Sequence, residues 1–169
     1  ELIGESGNLE KAIDILERHG YDQVNSEGVR SNGSTSLRVD ILVCTQNPYK
    51  LNVAENFKVQ LEKLGFGVKI RKYEKSEDFI LALDEGHYSF YIGETKLTNN
   101  CDLSEFFSKE GKLNYGIKEE TFEIYSMLKS GESNTKTFVE NFSANVPFLP
   151  LFYRNAVVSV NPNITGVGD

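Results

Sequence analysis

Apolar residues first recur at helical spacing over 9–18, where Leu9, Ala12, Ile13 and Leu16 share one face. Asn8 is placed to cap that helix, Glu10 suits its first turn, and Gly20 stops it. Residues 21–36 are rich in Asn, Ser and Gly and predict a loop or weak hairpin. At 37–44 the pattern alternates and then turns continuously apolar, as in a strand entering a buried sheet. Asn47-Pro48 supplies an N-cap and a proline at the first helical position. Ala54, Phe57, Leu61 and Leu64 continue as one stripe, and Gly65-Phe66-Gly67 reads as a helix stop and turn. Residues 68–73 alternate as a half-buried strand. Ser76, backed by Glu77 and Asp78, opens a short helix carrying Phe79, Ile80 and Leu83, stopped at Gly86, and 88–92 predicts a third strand.

Strand, helix, strand, helix, strand with short connections predicts right-handed crossovers on a parallel sheet. The second half is more helical, with spans expected at 103–109, 118–128 and 135–145. Its aromatic residues Phe106, Phe107, Phe122, Tyr125, Phe138 and Phe142 fall near helical spacing and are expected in a core rather than on a binding platform. Pro147 and Pro150 break the apolar run 146–153, which suits an edge strand or an extended crossing segment. A last strand is expected at 156–160. The fold class this predicts is α/β, a mixed, partly parallel sheet flanked by helices. The 169 residues suit a single domain.

Charge narrows the partners. Eighteen Lys and Arg against 25 Asp and Glu give a net charge of -7, with no basic cluster to serve as a nucleic-acid footprint. Residues 74–110 are the most acidic stretch, nine acids against three bases, and read either as a solvated surface or as a face attracting cationic ligands. No apolar run approaches the roughly 20 residues of a membrane span. Cys44 and Cys101 permit one disulfide, but with only His19 and His87 beside them no zinc spacing arises. Neither a metal site nor a cofactor is expected. Three short Asn-x-Ser/Thr matches, at Asn32, Asn141 and Asn163, are near chance in an Asn-rich chain. Phosphate-binding glycine loops, zinc-protease signatures and nucleophile elbows are absent from the sequence.

In an open parallel sheet, ligands meet the loops at the carboxyl ends of the strands. Those loops are Thr45-Gln46-Asn47 and 93–97, the second inside the acidic stretch. Glu94 is the candidate for a cationic ligand group, and Thr95 for a hydroxyl contact. Asn114 and Tyr115 are further candidates from the loop 111–116.

The order of motifs resembles the C-terminal lobe of extracellular solute-binding proteins of family 5, the peptide, oligopeptide and nickel receptors of bacterial ABC importers. Lys11-Ala12-Ile13-Asp14-Ile15-Leu16 through Gly20-Tyr21 matches the family's first helix. Glu27-Gly28-Val29-Arg30 and the run from Gly33 to Leu37 match its hairpin. Gln60-Leu61-Glu62-Lys63-Leu64-Gly65-Phe66-Gly67-Val68 matches "Q-L-x-x-x-G-[IF]-x-V", and Gly86-His87-Tyr88-Ser89 a "g-x-[YF]-D" strand. Pro147-Phe148-Leu149-Pro150-Leu151 matches the closing "P-x-x-P-L" segment, with Tyr153 soon after. The match covers most of residues 8–166.

The resemblance implies one lobe of a type II periplasmic-binding-protein fold and a non-enzymatic role. A small solute, a peptide first among the candidates, would lie in a cleft closed by a second lobe. It also implies ABC permease partners and an extracellular or periplasmic setting. Signal peptide, lipid-attachment cysteine and first lobe are then expected upstream. Two departures stand out. In the family's "G-W-x-x-D-Y-x-D-P" stretch, whose aspartate pairs with a peptide α-amine, the tryptophan is Glu94 and the aspartate is Leu97. Ser89 replaces the aspartate of the strand motif. The amine-anchoring role therefore does not transfer directly, and Glu94 is its candidate replacement. The alternative is a self-contained α/β enzyme or regulatory domain with Glu94 or Asp102 as general acid or base.

Overall fold

The computed structural model describes residues 8–96 and 102–151. The chain divides into two compact units, Glu1–Cys101 and Asp102–Asp169.

In the first unit, helix α1 (Leu9–Arg18) starts at Asn8, whose side chain accepts the Lys11 N–H at 3.0 Å. Strands β1 (Gln23–Val24) and β2 (Arg30–Ser31) pair antiparallel, realising the weak hairpin. Strand β3 (Arg38–Cys44) is followed by α2 (Pro48–Lys63), β4 (Gly67–Tyr73), α3 (Ser76–Glu85) and β5 (Phe90–Tyr91). The three later strands form one sheet in the order β4-β3-β5, both pairings parallel. Since β3 is central, Ile41, Leu42, Val43 and Cys44 are all buried, which is why its end reads as a continuous apolar run. Ile41 and Val43 pack with Ala54, Leu61 and Ile92 against α2.

The hairpin is held by more than its two short pairings. Arg30 donates its backbone N–H to the Gly65 carbonyl at 2.8 Å. Its guanidinium donates to the Tyr21 carbonyl at 2.9 Å and to Glu17 at 3.2 Å, with the Arg30 side chain only 11% exposed. Gly65 has φ +88°, and a Cβ there would meet Arg30 Cγ at 2.5 Å. Both the backbone angle and the close approach demand glycine. The residues that carry the family resemblance at Tyr21, Arg30 and Gly65 thus meet at one joint.

The second unit contains α4 (Ser104–Phe107), α5 (Glu119–Ser130) and α6 (Thr135–Asn145). Its core is aromatic. Phe107, Tyr125 and Phe138 are buried, with Phe106, Phe142 and Phe148 packed against them. Ring centroids of Phe107 and Phe138 lie 5.0 Å apart, edge to face. Thr121 is buried between α5 and α6 and donates its hydroxyl to Asn141 Oδ1 at 2.9 Å.

Several expected boundaries move. The span 103–109 shrinks to four helical residues, because Ser108 turns extended and Gly111 packs so tightly that a Cβ would lie 2.4 Å from the Glu105 carbonyl oxygen. Helix α3 opens at Ser76 as expected, with Lys75 at the cap position and the Ser76 hydroxyl donating to Gln46 Oε1 at 2.9 Å. Ile80 is half exposed, and Ala82 is buried beside Leu83 in its place. The third strand is confined to Phe90–Tyr91. Residues 146–151 form no strand; Phe148 seats on Phe106 at 4.7 Å between centroids. Leu97, Cys101, Tyr153 and the strand expected at 156–160 lie outside the described residues.

Candidate functional site

The loop after β3 engages neighbouring elements with all three of its side chains. Thr45 donates its hydroxyl to the Tyr73 carbonyl at the end of β4, at 3.1 Å. Gln46 accepts from Ser76 at the start of α3. Asn47 caps α2 by accepting the Tyr49 N–H at 3.0 Å, which turns its amide nitrogen toward Glu94 Oε2 at 2.8 Å. Lys50, in the first turn of α2, places its ammonium 3.6 Å from the same carboxylate oxygen. The result is a polar rim along the carboxyl ends of the parallel strands, with Thr95 half-buried next to Glu94.

Sequence reasoning names Glu94, Thr95 and the loop 45–47 as candidates; it does not name Lys50, which the structure sets against Glu94. Its only signal is its place three residues after an N-cap, which any surface lysine could share. Ser89, where the family pattern has aspartate, serves strand pairing: its N–H donates to the Asp40 carbonyl at 3.1 Å and its hydroxyl accepts the Asp40 N–H at 3.3 Å.

Asn114 and Tyr115 belong to the second unit. The Asn114 side-chain nitrogen donates to the carbonyls of Ser108 at 3.1 Å and Lys109 at 3.0 Å. Its amide therefore braces the loop that carries the half-buried Tyr115.

Asp102 also lies in the second unit. One carboxylate oxygen accepts from the Ser104 N–H at 3.0 Å, the Ser104 hydroxyl at 2.6 Å, the Tyr125 hydroxyl at 3.1 Å and the Lys129 ammonium at 3.3 Å. Those donors, the Ser104 hydroxyl first, hold its carboxyl well below the usual carboxylate range. A group ionised so firmly is a poor proton donor and a weak base near neutral pH. Its geometry is that of an anchor for the start of α4. Among the described residues no helix is long and apolar enough to cross a membrane.

Solved structures share this fold. A nickel ABC transporter from Bacillus halodurans matches 86% of the chain with a TM-score of 0.66 at 16% identity. The oligopeptide-binding protein AppA from Bacillus subtilis, in complex with a nonapeptide, matches 83% with a TM-score of 0.60 at 21% identity. A mannohexaose-bound periplasmic oligopeptide-binding protein from Thermotoga maritima matches 89% with a TM-score of 0.70 at 17% identity. The chain covers 32%, 30% and 32% of those three chains, about a third of their length. Among curated proteins none matches. The fold is that of one lobe of a periplasmic-binding protein, mixed α/β with a parallel sheet and flanking helices. The family model for bacterial extracellular solute-binding proteins, family 5 Middle, matches residues 3–108, well over half of the sequence, and the chain belongs to that family.

Proposed function

We propose that residues 1–169 form the C-terminal lobe of a non-enzymatic extracellular or periplasmic solute receptor feeding an ABC importer. A small solute, a peptide first among the candidates, lies in a cleft between this lobe and a second lobe of the same protein. The receptor docks on permease subunits and is either held at the cell surface by a lipid anchor or periplasmic.

Family membership carries this reading. Similar structures include a nickel ABC transporter, a nonapeptide complex and a mannohexaose complex, so the fold serves several solute classes. The rim supports it locally, because Asn47, Lys50, Glu94 and Thr95 lie where an open parallel sheet presents its ligand loops. Glu94 and Thr95 line the cleft from the first unit. Tyr115, on the loop braced by Asn114, is a further candidate for ligand contact within the second unit.

A cleft shared by two lobes buries its ligand only when both are present. The full-length receptor is expected to bind a small peptide at about micromolar affinity or tighter by calorimetry, and the 169-residue chain alone is not. Binding of a small peptide to the isolated chain at about micromolar affinity would sink the proposal.

A further inference from the structure

The rim contains one carboxylate in direct contact with a built-in cation, and this bears on what the site can select. Glu94 Oε2 accepts the Asn47 amide at 2.8 Å and faces the Lys50 ammonium at 3.6 Å. The Asn47 amide cannot turn over without losing the Tyr49 N–H from its oxygen. The Lys50 side chain is 22% exposed and that of Glu94 42%, so the cation is the more deeply seated partner. The loop 93–97 holds Lys96 and no second acid, and Leu97 stands where the family pattern has its amine-pairing aspartate. An incoming ammonium would have to displace Lys50 while approaching its charge at a few ångströms, where like charges repel. An amide or hydroxyl meets no such opposition and can use the half-buried Thr95.

Resting on the receptor reading above, we propose that this rim selects ligands presenting uncharged hydrogen-bonding groups rather than a free ammonium. Lys50 is the residue that sets the preference, and Asn47 positions Glu94 for it. Lys50 acts as a neutraliser: it occupies the electrostatic position that a peptide α-amine would otherwise take.

Two measurements test this. In the 169-residue chain, the Lys50 side-chain resonances are expected to shift in Glu94→Gln and to move with salt. Resonances indifferent to both changes mean that the pair does not form, and the proposal falls whatever the receptor binds. In the full-length receptor, trialanine and N-acetyl-trialanine are titrated by calorimetry. Wild type is expected to bind the acetylated peptide at least as well as the free amine, and Lys50→Met to shift the ratio about tenfold toward the free amine. A wild-type preference for the free amine of about tenfold, lost in Glu94→Gln, overturns the proposal. If neither peptide binds, the peptide-receptor reading is what fails, and the resonance measurement still decides whether Lys50 neutralises Glu94.

Discussion

Each unit holds one acid that sequence reasoning singles out for chemistry, and the two acids are treated oppositely. Asp102 in the second unit gathers four donors on one oxygen, three of them uncharged. Glu94 in the first has an amide and a more distant ammonium on the same oxygen, with 42% of its side chain exposed. The first arrangement holds backbone in place; the second leaves a carboxylate that can exchange partners. The surroundings follow the same division. Asp102 borders an aromatic core through Tyr125, whereas Glu94 lies beyond the end of a sheet whose buried core is aliphatic. A carboxylate's usefulness to a ligand depends less on its presence than on how many protein donors already hold it.

The largest effect that would sharpen this contrast is expected in the aromatic unit. Phe107 is buried and touches Phe106, Tyr125, Phe138, Phe142 and Phe148. Phe107→Ala is expected to cost about 3–5 kcal/mol in urea unfolding, and a loss below about 1 kcal/mol would mean that the aromatic cluster does not hold this unit together.

A smaller effect, with a definite pH signature, is expected at Asp102. Its folded pKa is depressed from 3.8, so its contribution is fully present above that value and is lost as pH falls. Thermal melts of wild type and Asp102→Asn should therefore differ at pH 7 and converge on acidification below about pH 4. A difference that persists unchanged at pH 2 would show that the ionised form is not what anchors α4.

The smallest effect belongs to the rim. Lys50→Met and Glu94→Gln are expected to change stability by no more than about 0.5 kcal/mol, since a partly exposed pair contributes little to folding. A loss of about 2 kcal/mol in either variant would place Glu94 with Asp102, as a structural acid, and remove the contrast.

Most of the first unit was legible because its signals are local. Asn8 and Asn47-Pro48 announce helix starts that occur where expected, and the apolar end of β3 announces a central strand. Thr135–Asn145 was equally readable, with Asn134 capping it. What could not be read depended on contacts between distant residues. The bond from the Ser76 hydroxyl to Gln46 joins residues 30 positions apart and has no local signal. The span 103–109 looks helical until Gly111 presses on the Glu105 carbonyl. At the site, Glu94 and Thr95 followed from their place after a strand. The pairing of Glu94 with Lys50 spans 44 positions and leaves no periodic trace.

The joint of Arg30 against Gly65 has a consequence for how such a lobe can change. Main-chain hydrogen bonds, a nearly buried guanidinium and a glycine that admits no substitute fasten the hairpin and first helix to the α2–β4 turn. At the rim, Asn47, Gln46 and Glu94 meet their neighbours mainly through side chains. Variation can therefore accumulate at the strand ends while the joint keeps the architecture recognisable. A library randomised at 93–96 should yield mostly folded proteins with altered ligand preference, whereas one randomised at Gly65 should yield few that fold.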